Sequence, residues 1–222
     1  MPTGSGQMEE TKKTTDKRRL RGEESRKLIL QAAIDSIATE GLANLTLDRV
    51  ADRVGISRGL VVFHFKSKNK LIAEVLEYLG RQYSGGWHAI VATEAETSTS
   101  KLLRLIDYDI RFACENPRYV STWHAFWGDS KGNLLFQEQV VHRDEGYAAD
   151  LALLLEEISD EGGYDKRDLA SITRGLFVMT FGVWIQLHLN PGPDDYDVNT
   201  KAIRLFLEKM FPQTEFPEIP PK

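Results

Sequence analysis

The chain has 222 residues, 41% of them hydrophobic and 27% charged, which is the balance of a globular protein with a buried core. Its single cysteine, Cys114, excludes an internal disulfide or a cysteine-built zinc site. The first 22 residues lack the apolar run of a secretory signal, so we expect a cytoplasmic protein.

Charge is distributed unevenly along the chain. The net charge is −5, but residues 1–70 hold 14 basic and 9 acidic side chains, whereas residues 71–222 hold 14 and 24. This asymmetry predicts an anion-binding head followed by an acidic carrier domain. Residues 1–22 are polar, end in a basic run and contain little to bury, so we predict a basic flexible arm. Two interpretations of this arm are open: it contacts a nucleic acid, or it is simply a solvated start of the chain.

Apolar residues at helical spacing predict helices along the whole chain and no strand. The first helix covers residues 23–40, where Leu30, Ile34 and Ile37 share one face. A fourth helix starts near Lys68, and the Gly85-Gly86 pair leaves open whether it is broken there. Further helices are predicted at 101–114, 117–127, 134–158, 165–189 and 198–210, followed by a loose tail at 212–222. With the two short helices described next, the pattern indicates an all-α protein of about nine helices.

The second and third helices are short and joined by a tight turn. Thr46 is a good N-cap for one, Gly55 supplies the turn, and Ser57 caps the other, which ends near Phe65. Residues 46–65 therefore form a helix-turn-helix pattern, whose second helix is narrow enough to enter a major groove about 12 Å wide. From these residues alone, a helical hairpin that binds no DNA is the alternative.

The segment 46–72, TLDRVADRVGISRGLVVFHFKSKNKLI, resembles the DNA-binding head of TetR-type transcriptional repressors. The matching positions are Thr46, Ala51, Gly55-Ile56-Ser57, Gly59, His64-Phe65, Lys68 and Leu71-Ile72. The resemblance implies that Val61 and Phe65 face inward. The rest of their helix, the second of the helix-turn-helix, faces the groove. The DNA-binding residues that it implies are Thr46, Ser57, Arg58, Gly59, Leu60, Val62, Phe63, His64 and Lys68.

The resemblance gives some of these residues separate roles. Arg58 is the candidate for guanine, because a guanidinium can donate to O6 and N7 together. Thr46 and Lys68 are candidates for phosphate contacts beside helix N-termini, which favour anions. Many family members have Tyr where this chain has Val62, so a phosphate-binding hydroxyl is absent at that position.

About half of residues 100–211 resembles the choline-sensing BetI-type branch of that family. The resemblance lies in Trp123–Trp127 followed by Arg143, and in Gly175-Leu176 with Gly182–Trp184. The resemblance implies a small-molecule inducer bound between helices. The candidate ligand-binding residues are Tyr108, Trp123, Phe126, Trp127, Phe177, Phe181 and Trp184. Because Trp faces bind cations well, we expect a quaternary ammonium compound, with Asp107 or Asp109 as its counter-charge. A plain aromatic core, or an apolar wall for a neutral or anionic inducer, is the alternative.

The stretch 169–189 is strongly apolar, but Arg174, Gln186 and His188 interrupt it and argue against a membrane span. A helix that is apolar on most sides is buried on most sides, which in a domain of this size predicts a partner subunit. The family resemblance implies a homodimer through the last two helices. Histidine and carboxylate spacing predicts no metal site, no cofactor and no enzyme activity.

The predicted organisation is therefore an arm at 1–22, a helix-turn-helix domain at 23–68 and a ligand-binding and dimerisation domain at 69–222. The predicted function is that of a repressor that binds a palindromic operator as a homodimer and is released by an inducer. The alternatives are a regulator whose second domain only dimerises, and a binding protein without DNA function.

Overall fold

The computed structural model describes the backbone of residues 5–129 and 134–218, and the side chains of residues 20–128 and 144–218. Its helices are α1 Ser5–Glu40, α2 Leu47–Val54, α3 Arg58–Phe65, α4 Lys68–Val91, α5 Ser98–Glu115, α6 Pro117–Asp129, α7 Leu134–Gly162, α8 Leu169–Leu189 and α9 Asp195–Met210. Short 3₁₀ turns at Leu42–Asn44 and Lys166–Asp168 complete the regular structure, and the described residues include no strand. The all-α expectation is confirmed.

The chain divides into two compact units, Met1–Val75 and Leu76–Lys222. In the first unit, α1 packs against α2 and α2 against α3, around buried side chains such as Ile34, Val50 and Phe65. In the second unit, α5 packs against α6, α7, α8 and α9, and α8 also contacts α6, α7 and α9. Helices α5 and α8 therefore lie at the centre of the second unit.

The two chain ends differ from the sequence expectation. The predicted arm at 1–22 is helical from Ser5 onward, because residues 7–21 lack Gly and Pro and are rich in Glu, Lys and Arg, which are good helix formers. The predicted loose tail is anchored at Phe216: this side chain is buried, and the Arg204 guanidinium donates to its carbonyl oxygen. The basic side chains at 12–19 and the side chain of Arg143 lie outside the described residues.

The apolar helix α8 has two different faces. Leu176, Val183 and Trp184 are buried within the second unit, whereas Val178 is 50% and Leu189 is 74% exposed. Among the described residues, the stretch Lys166–Leu189 alone is long and apolar enough to cross a membrane, and only 22% of its apolar window is buried. One face thus belongs to the core, and the other is an apolar surface that the described side chains leave exposed.

Helix α4 continues through Gly85-Gly86 without the break that the sequence left open. The tertiary contact explains the glycine at position 86: a Cβ there would overlap with the ring of Tyr108, whereas one at position 85 would meet open space. The Tyr108 ring is itself held, since its hydroxyl donates to the Tyr83 carbonyl over 2.7 Å and the two rings stack. Gly86 therefore serves close packing and Gly85 does not.

We expect Gly86→Ala to lower the free energy of unfolding by about 1–3 kcal/mol, because the added methyl overpacks a restrained ring. The control Gly85→Ala should raise it by about 0.5–1 kcal/mol through the better helix propensity of alanine. Urea denaturation followed by circular dichroism measures both. Equal stability of the two variants would contradict the packing described here.

Candidate nucleic-acid interface and ligand cavity

Three local features define α2, α3 and the turn between them. The Thr46 hydroxyl accepts from the Arg49 amide over 3.2 Å, and Ser57 accepts from Leu60 over 3.3 Å, so each side chain caps its helix. Gly55 ends α2 with φ of 73°, a left-handed conformation that glycine adopts without strain. The predicted helix-turn-helix geometry is present.

The inner face of α3 is anchored in the first unit. Val61 and Phe65 are fully buried, as the family resemblance implied. The Arg26 guanidinium lies 5.1 Å from the centre of the Phe65 ring and forms an ion pair with Glu74. This packing fixes the rotation of α3 about its own axis, and with it the set of side chains that face outward.

The predicted DNA-binding residues lie on the opposite, accessible side of α3 and beside it. Thr46, Ser57, Arg58, Gly59 and Phe63 are exposed, and Leu60, Val62, His64 and Lys68 are half-buried. Phe63 is 67% exposed, which is unusual for a large apolar side chain and suits contact with a partner.

Several polar contacts on this surface were not predicted from the sequence. The Arg58 Nε lies 3.1 Å from Asp48 Oδ1, and Lys68 Nζ donates to the Ala43 carbonyl over 3.4 Å. Lys66, at positive φ after α3, donates to the Phe63 carbonyl over 2.9 Å and lies over its ring. Burial, followed by the positive charges of Arg26 and Lys66, lowers the pKa of His64, which favours its neutral imidazole.

A cavity lies in the second unit between α4, α5, α6, α7 and α8. It is lined by Tyr83, Asp109, Trp127, Asp144, Tyr147, Phe177, Thr180, Phe181 and Trp184. Four predicted ligand-binding residues line it: Trp127, Phe177, Phe181 and Trp184. Three others do not: Trp123 and Phe126 are buried in the core, and Tyr108 packs on the Tyr83 ring. Helical spacing alone predicts these three residues near the cavity. In the structure they pack against other side chains and do not line it.

Asp109 is the central polar group of the cavity. It is only 3% exposed, and its Oδ1 accepts from the Tyr83 hydroxyl over 2.6 Å and from the Trp184 indole over 2.9 Å. One carboxylate on α5 thus joins α4 and α8. Burial, and after it the negative charge of Asp109, raises the pKa of Tyr147 well above its usual value.

Asp107, the other predicted counter-charge, has a different role. It forms an ion pair with Arg111 over 2.7 Å and accepts from the Tyr196 hydroxyl, which ties α5 to α9 outside the cavity lining. Residues two apart on a helix point in nearly opposite directions, so only one of Asp107 and Asp109 can face the cavity.

The lining combines negative charge with aromatic faces. Among the described residues it holds two carboxylates, Asp109 and Asp144, and no Lys or Arg side chain. The rings of Tyr83 and Trp184 are 5.4 Å apart, and those of Trp127 and Phe181 are 4.9 Å apart. The cavity encloses about 30 Å³, which is room for one or two water molecules. A larger ligand therefore requires side chains of the lining to move.

Two family models match this chain. The model of bacterial regulatory proteins of the tetR family matches residues 29–75, and that of the C-terminal domain of BetI-type transcriptional repressors matches residues 98–212, more than half of the chain. The chain belongs to the TetR family and has a BetI-type C-terminal domain. It is accordingly a DNA-binding transcriptional regulator and not an enzyme.

Individual TetR-family relatives are distant but extend over most of the chain. The regulator BetI 1 of Chromohalobacter salexigens is 24% identical over 183 residues, which cover 78% of this chain and 83% of the relative. BetI of Pseudomonas fluorescens is 24% identical over 197 residues, or 83% and 90% of the two chains.

Solved structures show the same fold. A TetR regulator from Haloarcula marismortui superposes with a TM-score of 0.73 at 22% identity, covering 85% of this chain and 98% of its own. A transcriptional regulator from Saccharomonospora viridis in complex with choline has a TM-score of 0.73 at 20% identity, covering 84% and 96%.

Local signals in the sequence predict the TetR helix-turn-helix, but they do not predict all residues that line the cavity. Tyr83, Tyr147 and Asp144 come from α4 and α7, and their side chains join the lining only through long-range packing. Tyr83 lies one helical turn before Trp87 on the buried side of α4, which was the one available signal.

Proposed function

We propose that the chain is a cytoplasmic, homodimeric repressor that binds a palindromic operator through α3 of each subunit and is released by a small organic cation, most simply a quaternary ammonium compound. The observation that supports this class of ligand is the buried carboxylate of Asp109, which lies among aromatic side chains. The arm and helix-turn-helix domain at 1–68 would bind DNA, and the domain at 69–222 would bind the ligand and dimerise.

The geometry of α3 supports DNA binding with defined orientation. Its buried side is locked by Phe65, and its accessible side begins with Arg58 at the N-terminus of the helix. Two such helices related by a two-fold axis address half-sites roughly 34–36 Å apart, or a multiple of that distance.

We expect Arg58→Ala to weaken operator binding by about 1–3 kcal/mol and to relax selection at one base pair in each half-site. Lys68→Ala should instead weaken binding to all sequences alike and reduce the salt slope by about one, because it removes a phosphate contact. Fluorescence anisotropy at several salt concentrations, on an operator selected from random duplexes, measures both effects. Wild-type affinity and salt slope in both variants would contradict this docking.

The exposed apolar side chains of α8 and α9 support a homodimer through these helices. Val178 and Leu189 on α8, and Val198 and Leu205 on α9, are each at least half exposed. Exposed apolar surface on two adjacent helices is typical of a subunit interface. Val183 faces its own core and is outside this surface.

Val178→Glu and Leu205→Glu should therefore each convert the dimer to a folded monomer, since an unpaired charge buried at an interface is costly. Leu153→Glu is the matched control, because Leu153 is equally exposed but lies on α7. Sedimentation velocity measures the mass, and the monomers should also lose specific operator binding. A stable dimer in both α8 and α9 variants would refute the interface.

The cavity supports a cation rather than a neutral or anionic inducer. Tyr and Trp faces attract cations, with about 2 kcal/mol or more available when the contact is desolvated. Two carboxylates in the lining would repel an anion. The Saccharomonospora viridis regulator, which shares the fold, is in complex with choline, so choline is the first compound to test.

The same contacts supply a route from ligand to operator. Because the cavity is small, we expect a cation that approaches Asp109 to displace Tyr83 on α4 or Trp184 on α8 from the hydrogen bonds that Asp109 accepts. Helix α4 begins three residues after α3 ends, and α8 carries the exposed apolar face. A coupling of 1–3 kcal/mol between ligand and DNA would weaken operator binding about 5- to 150-fold.

Calorimetry with choline, betaine aldehyde and the uncharged isostere of choline tests the ligand class. We expect the cations to bind and the isostere to bind far more weakly. Asp109→Asn should weaken cation binding at least about tenfold, the equivalent of 1.4 kcal/mol, whereas the control Asp107→Asn should leave it unchanged. Equal binding of the isostere, or of the wild type and Asp109→Asn, would reject the cation while leaving the regulator intact.

A further inference from the structure

An ion pair links the two helices of the helix-turn-helix. Asp48 stands in the first turn of α2, and Arg58 is the first residue of α3. Their side chains are 65% and 63% exposed, and the closest approach is from Arg58 Nε to Asp48 Oδ1, at 3.1 Å. The pair therefore lies on the surface that we assign to DNA.

We propose that Asp48 is a specificity-determining residue that positions the Arg58 guanidinium for a guanine. The inference rests on the proposed function, in which Arg58 reads a base. A guanidinium carries five N–H donors in a planar fork. A contact through Nε leaves the donors of Nη1 and Nη2 for the two acceptors, O6 and N7, of a guanine. A long side chain held in this way loses less rotamer freedom when it meets the base.

The negative charge of Asp48 should lower the affinity for DNA, even though its contact with Arg58 should raise the specificity for guanine. A carboxylate near the backbone of DNA repels phosphates of any sequence, so Asp48 weakens non-specific binding. Removing this charge should strengthen binding to random DNA and at the same time weaken the preference for guanine. These opposite signs distinguish the proposed role from a purely local one, in which an acid in the first turn merely stabilises α2.

The test compares Asp48→Asn with Asp52→Asn in the full-length protein. Asp52 is an exposed carboxylate one turn further along α2, so its variant removes the same charge from the same helix. The DNA series is an operator selected by the wild type, together with the three substitutions of each base pair and a random duplex. Thermal melting of each variant records any structural effect on α2 separately.

For Asp48→Asn we expect discrimination at one base pair to fall about two- to fivefold per half-site, the scale of an exposed ion pair. Affinity for the random duplex should rise, and the affected base pair should be the one that Arg58→Ala relaxes. In an Arg58→Ala background, Asp48→Asn should leave discrimination unchanged. Asp52→Asn should preserve discrimination at every base pair.

Unchanged discrimination in Asp48→Asn, or an equal loss with and without Arg58, would overturn the role of Asp48 while operator selection by the wild type still supports the proposed function. Failure of the wild type to select any sequence would contradict the proposed function itself, and this proposal with it.

Discussion

The buried carboxylate of Asp109 joins three helices of the second unit. A charged group taken out of water must be compensated by hydrogen bonds or by an opposite charge. Here a phenol from α4 and an indole from α8 both donate to one oxygen of a carboxylate on α5. The positions of three helices thus depend on one acceptor. A ligand that brings positive charge to this acceptor changes the balance among all three.

Helix α8 connects this constraint to the surface, because one of its faces lies in the core and the other is exposed. Trp184 and Phe177 line the cavity, while Val178, one position from Phe177, points away from it and is half exposed. A rotation or shift of α8 that accommodates a ligand must therefore also move its exposed face. If that face forms the dimer, ligand binding alters how the two subunits meet, which is the requirement for a coupling between ligand and operator.

The features predicted well from the sequence are those that neighbouring residues decide. Thr46 and Ser57 cap their helices through amides three residues away, and Gly55 ends α2 by its own conformation. In the second unit, the features that the sequence did not predict depended on distant parts of the chain. The tail is fixed because Arg204 and Tyr164 bond to it, and Gly86 is required by Tyr108 rather than by a helix break. Neither partner is apparent from local spacing.

The cavity shows the same difference between local and long-range signals. The aromatic helices α6 and α8 were recognisable, but spacing did not separate Trp127, which lines the cavity, from Trp123, which fills the core. The choice between Asp107 and Asp109 required the positions of Arg111, Tyr196 and Trp184. A crystal structure of the protein with choline tests the central claim most directly. The account predicts the quaternary nitrogen beside Asp109, within about 6 Å of the ring centres of Tyr83 or Trp184, with at least one of their hydrogen bonds to Asp109 broken. Choline bound elsewhere, or bound with these hydrogen bonds intact, would contradict it.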